Sequence, residues 1–463
     1  MPLHSARSAR RARPQRPAAH ALLALAAACA LLVPGPAAAQ SLKDLYEAAR
    51  GYDAAFLGAR ALLDSAEYRV EQVRALNRPQ IGLQISDSRA NSNTPYSATR
   101  SSHSTTLNGA ITATQNLFNK ANNVSIAQAE KSADAARADF ASAEQDLIVR
   151  LAQAYFDVLA AQDTLTTTRA NKTAITEQLA SAKRNFEVGT ATITDTREAQ
   201  ARFDLAAAQE IAATNDLQIK RIALDQLVGR TGVEPKGLAK PVALPPVQPG
   251  DVDEWVARAD AEHPSIRKAT LGLEVARLEN EKARAGHMPT VTLSGSYGSG
   301  RTSVDGALSN PPMPYSASGT STTSSIGVML NIPLYSGHAV SNRIKETALL
   351  EEKARDDLLA ARRGVAQGTR QAFFGEKSLL AQVGALEAAE SSSRLALEAT
   401  QLGYKVGVRV NLDVLNAQTQ LFGTERDLAK ARYDAIVGGL KLRQASGQLA
   451  SGDVDAVNVL LAK

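Results

Sequence analysis

The chain has 463 residues, enough for more than one structural unit, with 52 Lys and Arg against 47 Asp and Glu and a formal net charge of +5. Five of those basic residues, Arg7, Arg10, Arg11, Arg13 and Arg16, stand at the N-terminus with no acidic residue beside them, so 47 basic face 47 acidic side chains in the remainder. That balance excludes the basic field a nucleic-acid partner requires, and the single cysteine, Cys29, excludes an internal disulfide framework.

The arginines precede the apolar run ALLALAAACALLV and then Pro34, Gly35, Pro36, Ala37, Ala38 and Ala39. A run of about a dozen residues is too short to span a bilayer core of about 30 Å, and Ala37 and Ala39 fit an A-x-A cleavage site. Residues 1–39 are therefore expected to be a cleaved secretory signal, with the mature chain beginning at Gln40. Acylation at Cys29 is the alternative, but Ala26, Ala27 and Ala28 lack the usual leucine and the apolar stretch continues past the cysteine.

The rest of the chain is a tandem duplication. Asn185-Phe186-Glu187-Val188-Gly189, with Asp195, Ala199 and Gln200, recurs 218 positions later as Gly403-Tyr404-Lys405-Val406-Gly407, with Asp413, Ala417 and Gln418. The same offset maps Gln153-Ala154-Tyr155-Phe156 onto Gln371-Ala372-Phe373-Phe374, and Leu224, Gln226 and Gly229 onto Leu442, Gln444 and Gly447. Nearer the start of each half the offset is 210, pairing Leu45 with Trp255 and Arg78-Pro79 with Met288-Pro289. Eight residues therefore separate the halves within the Ser, Asn, Gly and Pro-rich stretches around 87–105 and 298–324, whose composition predicts exposed loops.

In chain order the first half, 40–232, reads as a helix, hairpin strands at about 80–118, a long helix over 122–187 and a helix over 191–229. A Pro-rich linker over 233–252 joins it to the second half, 253–450, which reads as a helix, hairpin strands at about 290–335, a long helix over 340–405 and a helix over 410–447. Residues 451–463 form a C-terminal tail. The first long helix carries an apolar seam at steps of three and four: Ala133, Ala136, Phe140, Ala143, Leu147, Leu151, Ala154, Val158, Ala161 and Leu165, then Ile175, Leu179, Ala182 and Phe186. A helix of that length reaches about 100 Å, which no single compact domain buries, so partners must lie alongside it.

The strand candidates alternate apolar with small or polar residues: Ile81-Leu83-Ile85, Leu107-Gly109-Ile111-Ala113, Val291-Leu293-Gly295-Tyr297 and Ile326-Val328-Leu330-Ile332. The pattern suits a membrane barrel, with Phe118 and Tyr335 at the periplasmic interface, and also a half-buried soluble sheet. If the sheet lies in lipid, four strands cannot close it, and several chains must share one wall. Catalysis finds no motif: H-E-x-x-H, G-x-x-x-x-G-K-[ST] and G-x-S-x-G are absent from the sequence, and His103, His263, His287 and His338 are scattered.

The duplicated helix-hairpin-helix order together with AYFDVLAA, RNFEVGTATITD, GYKVGVRVNLDVLNAQ and ARYD resembles the TolC-type outer-membrane efflux and secretion channels, the outer membrane factors, over residues 41 to about 450. The resemblance implies an α+β membrane protein, a homotrimer whose strands form one twelve-stranded β-barrel, continued across the periplasm by a twelve-helix α-barrel. It implies the exit duct of a tripartite efflux pump or a type I secretion system, opened by a periplasmic adaptor and an inner-membrane RND or ABC transporter. No catalytic residue, metal or cofactor is implied. Val188, Gly189, Thr190, Val406, Gly407 and Val408 become adaptor-docking tips, though glycine there also has a structural role after a helix end. Thr194 and Asp195 are set against Arg409 and Tyr404 as gate links, while Asp195 with Glu198 also reads as a capping box. Asp413 lines a constriction ring, and Asn416 stands where the family often has a second acid. A secreted periplasmic coiled-coil scaffold without a barrel is the alternative reading. A soluble binding or enzymatic domain is a further one, for which no polar constellation is visible.

Overall fold

Ser41 starts the fold by a reciprocal cap: its hydroxyl accepts the Asp44 amide N–H at 3.2 Å, and the Asp44 carboxylate accepts the Ser41 N–H at 3.2 Å. This opens α1 (Leu42–Tyr52) in a computed structural model that describes residues 39–94, 99–239, 241–242, 244–308, 311 and 313–462. The signal segment expected over 1–39 lies outside the described residues apart from Ala39, and so does Cys29. Asp53 then caps α2 (Ala54–Arg74) through the Phe56 N–H at 2.8 Å, and Arg150 holds the same carboxylate at 3.1 Å. That guanidinium keeps the Asp53 carboxyl below the usual carboxylate range.

Each half thus opens with two helices where the sequence suggested one. In the second half the break lies between α5 (Val252–Glu262) and α6 (Pro264–Arg284), where the His263 ring accepts the Ser265 N–H and Pro264 stands in the first turn. A capping side chain and an N1 proline both restart a helix, which explains the interruption.

The hairpin strands β1 (Gln80–Asn93), β2 (Thr99–Asn119), β3 (Thr290–Leu308) and β4 (Pro314–Asn331) make one antiparallel sheet in the order β1-β2-β3-β4. Register brings Ile81, Ala113, Gly295 and Ile326 into one cross-strand row and Leu83, Ile111 and Tyr297 into another, so the apolar positions of all four strands share a face. That face is open: Ile81 is 76 % and Ile326 83 % exposed.

Two corrections concern strand length. The stretches expected as loops around 87–105 and 298–324 are largely paired, with ladders running to Asn93↔Ser101 and Ala307↔Pro314. Serine and threonine are compatible with a ladder whose register is already set by the apolar rows, so polar composition alone misread them. At the other end β4 stops at Asn331 instead of about 335, because Pro333 has no N–H to donate.

After the first hairpin come α3 (Lys120–Glu187, 68 residues) and α4 (Ile193–Val228), and after the second α7 (Ala339–Lys405, 67 residues) and α8 (Asn411–Ala445). The region expected as a tail contains α9 (Ser451–Asn458), whose Asp453 carboxylate accepts the Ala450 N–H at 2.9 Å and pairs with Arg443. Near the hairpins α2, α3, α6 and α7 lie side by side; towards the far end α4 packs on α3, α3 on α8, and α8 on α7.

The main core sits between these ends. Leu42, Leu45 and Tyr46 of α1 meet Leu147, Leu151, Tyr155 and Phe156 of α3, Tyr433 and Leu440 of α8, and Val454 of α9. Buried hydroxyls are satisfied there: Tyr155 donates to the Lys236 carbonyl at 2.9 Å and Tyr433 to Asp163 at 2.6 Å. The seam of α3 is buried at Leu147, Val158, Leu165, Ile175 and Ala182, but Phe186, on the last turn, is exposed.

Candidate functional site

Both long helices end in the same way. Gly189 (φ 79°) donates to the Phe186 carbonyl at 3.0 Å and Thr190 to that of Asn185 at 2.8 Å; Gly407 (φ 80°) donates to Tyr404 at 3.1 Å and Val408 to Gly403 at 2.9 Å. These are Schellman closures, and left-handed backbone at that position is why glycine stands there. Space is not the reason, since a Cβ at either glycine would meet nothing within 4 Å. The closures leave Val188 (73 % exposed), Val406, Val408 (75 % exposed) and Val410 in the open, a pair of apolar knuckles at the end of the helical layer.

Behind the knuckles, cross-helix polar bonds tie the two halves. The Asn185 amide donates to the Tyr404 hydroxyl at 3.2 Å, joining the last turns of α3 and α7, and Arg202 of α4 donates to Asn416 of α8 at 2.9 Å. Arg409 lies 3.7 Å from Asp413 one turn into α8, and its methylene packs where a Cβ on Gly403 would come within 2.8 Å. Beneath these bonds Leu415 of α8 is fully buried against Ile175, Leu179, Ala199 and Ala206. Asn411 is buried too, with neither amide atom partnered among the described residues.

Within the chain neither expected gate pair, Asp195 with Tyr404 or Thr194 with Arg409, is hydrogen bonded among the described residues. Asp195 is taken by Thr192, whose N–H and hydroxyl both donate to its carboxylate at 2.8 Å while the Thr192 hydroxyl accepts the Asp195 N–H. The capping box at this helix is therefore Thr192 with Asp195, not Asp195 with Glu198: Thr192 carries the extended backbone of an N-cap, which places Asp195 at the third helical position. Thr194 is exposed on the first turn of α4. Asp413 repeats half of that cap, accepting the Val410 N–H at 3.4 Å, because valine has no side-chain acceptor to reciprocate.

Asn185 and Arg202 escaped the sequence reading. Asn185 was visible only as the residue before Phe186, whose repeat mate is Tyr404, and nothing local to Arg202 marks Asn416 as its partner. Among the described residues no group of three His, Cys, Asp or Glu side chains could hold a metal ion, and no helix is long and apolar enough to cross a membrane.

The profile of the family described as outer membrane efflux protein matches residues 45–230 and 255–448, one match to each half of the duplication. The outer membrane protein TolC of Vibrio cholerae is 35 % identical over 423 residues, 91 % of this chain and 93 % of that one. The alkaline protease secretion protein AprF of Pseudomonas aeruginosa is 33 % identical over 322 residues, 69 % of this chain and 65 % of that one. Among solved structures, the outer membrane protein VceC of Vibrio cholerae superposes with a TM-score of 0.72 at 20 % identity, covering 88 % of this chain and 96 % of that one, a likeness of fold.

Proposed function

The chain belongs to the outer membrane efflux protein family and is an outer-membrane exit duct that extends into the periplasm; from that premise we propose that three copies close one wall and that the valine knuckles receive a periplasmic adaptor. The sheet carries the first half of this reading. β1 and β4 are its free edges, each sheet is four strands wide, and its apolar face is uncovered. Open edges in lipid leave backbone donors and acceptors unsatisfied, and four strands are too few for a barrel, so β1 of one copy must pair with β4 of the next. Three copies give twelve strands, and Phe118 and Tyr335 at the strand bases would then sit at the periplasmic boundary.

The exposed valines support the second half. Val188, Val406 and Val408 sit on rigid helix closures, and an apolar patch held by fixed backbone suits a helical hairpin brought by an adaptor. An inner-membrane transporter of RND or ABC type would then supply the cargo and the energy. Asn185–Tyr404 and Arg202–Asn416 act as the closure between the halves, worth about 0.5–1.5 kcal/mol for the neutral bond and up to about 3 kcal/mol for the one from the guanidinium, amounts docking could overcome. Asp413, repeated three times about the axis, forms the acidic constriction.

Mass measurement of the full chain in detergent tests the assembly. A trimer is expected; a monomer or dimer as the sole species overturns the twelve-stranded wall. Deleting the gene and scoring both toxic-compound sensitivity and secretion of large proteins tells which cargo the duct carries.

A further inference from the structure

Glu376 lies in the middle of α7 with 5 % of its surface exposed, and its Oε2 is buried with no donor among the described residues. Across from it α8 carries Gly438 and Gly439, and a Cβ on Gly438 would stand 2.2 Å from that oxygen. Glycine inside a helix is about 1 kcal/mol worse than alanine, and at Gly438 room for the carboxyl outweighs that cost, while a Cβ on Gly439 would stand in ordinary contact at 3.8 Å from Oε1. The two glycines leave a notch that the carboxyl fills.

The duplication supplies an internal comparison. At the offset of 218, Glu376, Gly438 and Gly439 correspond to Val158, Lys220 and Arg221. Val158 is fully buried in the main core, and Lys220 pairs with Asp157 at 3.0 Å. The second half therefore has a buried acid where the first has a buried valine, and a glycine notch where the first has two basic side chains.

Glu376 borders a cavity of about 430 Å³ between α5, α7, α8, α9 and the linker, walled by Pro245, Val247, Trp255, Leu380, Leu440 and Val457. That size suits a small molecule. The other charged groups facing it, Arg443 of α8 and Asp453 of α9, pair with each other. The Trp255 indole N–H already donates to the Pro249 carbonyl at 2.9 Å. Glu376 is thus the one lining charge without a partner among the described residues, in a pocket that is otherwise mostly apolar.

We propose that this cavity binds a protonated amine with an apolar body, the ammonium pairing with the Glu376 carboxylate and the body filling the space against Trp255 and Leu440. A buried carboxylate without a donor is costly, and an ammonium with two or three N–H groups supplies what the fold omits. Its walls as described come from one chain, so the site needs no second copy to be complete.

Trp255 is the only tryptophan in the sequence, so its fluorescence reports on the cavity directly. The full chain in detergent is titrated with 4-butylbenzylamine and, separately, with 4-butylbenzyl alcohol, its neutral counterpart. A saturable change with the amine is expected, at least tenfold weaker with the alcohol. Glu376→Gln should remove that preference, and Ala456→Phe, which fills the mouth from an exposed position on α9, should abolish saturation. Burial pushes the Glu376 carboxyl up to about 7, so the amine should bind about tenfold more weakly at pH 6 than at pH 8. Equal responses to amine and alcohol, or an unchanged amine response in Glu376→Gln, would overturn the proposal. So would a response that never saturates, which is detergent partitioning.

Discussion

The Asn185 amide and the Tyr404 hydroxyl, 219 positions apart in sequence, meet at 3.2 Å and join the last turn of α3 to the last turn of α7. Together with Arg202–Asn416 at 2.9 Å it is a direct polar tie between the two halves at the knuckle end. Replacing Asn185 and Arg202 together by alanine should raise single-channel conductance in planar bilayers while leaving assembly intact, since the bonds are worth only about 0.5–3 kcal/mol each. Conductance at the wild-type value would remove these bonds from the gate.

Arg409 and Asp413 should act oppositely on ion selectivity. Arg409 lies 3.7 Å from the Asp413 carboxylate and offsets part of its charge. Asp413→Ala should lower cation preference, measured as reversal potential across a salt gradient, and Arg409→Ala should raise it. The same sign for both variants would place Asp413 away from the conduction path.

The glycines at helix ends separate backbone strain from crowding. Gly407→Ala puts a side chain on left-handed backbone with nothing near it, a cost of about 1–2 kcal/mol. Gly447 has φ 74° as well, and its Cβ would stand 2.6 Å from the His263 backbone, so Gly447→Ala should cost about 2–4 kcal/mol. Thermal unfolding followed by circular dichroism should therefore rank Gly447→Ala well below Gly407→Ala. The reverse order would mean that the α5–α6 junction yields easily.

Glu376 makes stability depend on pH in a fixed direction. Burial raises its carboxyl to about 7, above the ordinary value near 4.5, so the folded chain holds a proton that the unfolded chain has lost. Its contribution is fully present below about pH 4.5 and is lost as pH rises through 7, a loss on the order of 3 kcal/mol. Denaturant midpoints of wild type should fall between pH 5 and pH 8 more steeply than those of Glu376→Gln. Parallel profiles would show that Glu376 is solvated.

Most of the order of elements was readable in the sequence because its signals are local; the breaks at Asp53 and His263 that open each half with two helices, and α9, were not. Alternation set the strands, the three-and-four spacing set the α3 seam, and glycine marked both long helix ends at Gly189 and Gly407. Duplication, at an offset of 210 near the start of each half and 218 over the long helices, then doubled each signal, so a motif weak in one half was strengthened by its copy in the other. The extent of the strands was not readable, because Ser and Thr join a ladder only when a partner in register offers one, as at Asn93↔Ser101.

The contacts that decide the candidate sites are of another kind. Asn185 with Tyr404, Arg202 with Asn416, and Glu376 in the Gly438–Gly439 notch each depend on the axial register between two packed helices. A shift of one helical turn, about 5.4 Å, would leave every local pattern intact and break all three. Helix propensity, capping and amphipathic spacing carry no information about that register. Only the buried contacts across the core, with Tyr155, Phe156 and Tyr433 locked between α3 and α8, determine which side chains face each other.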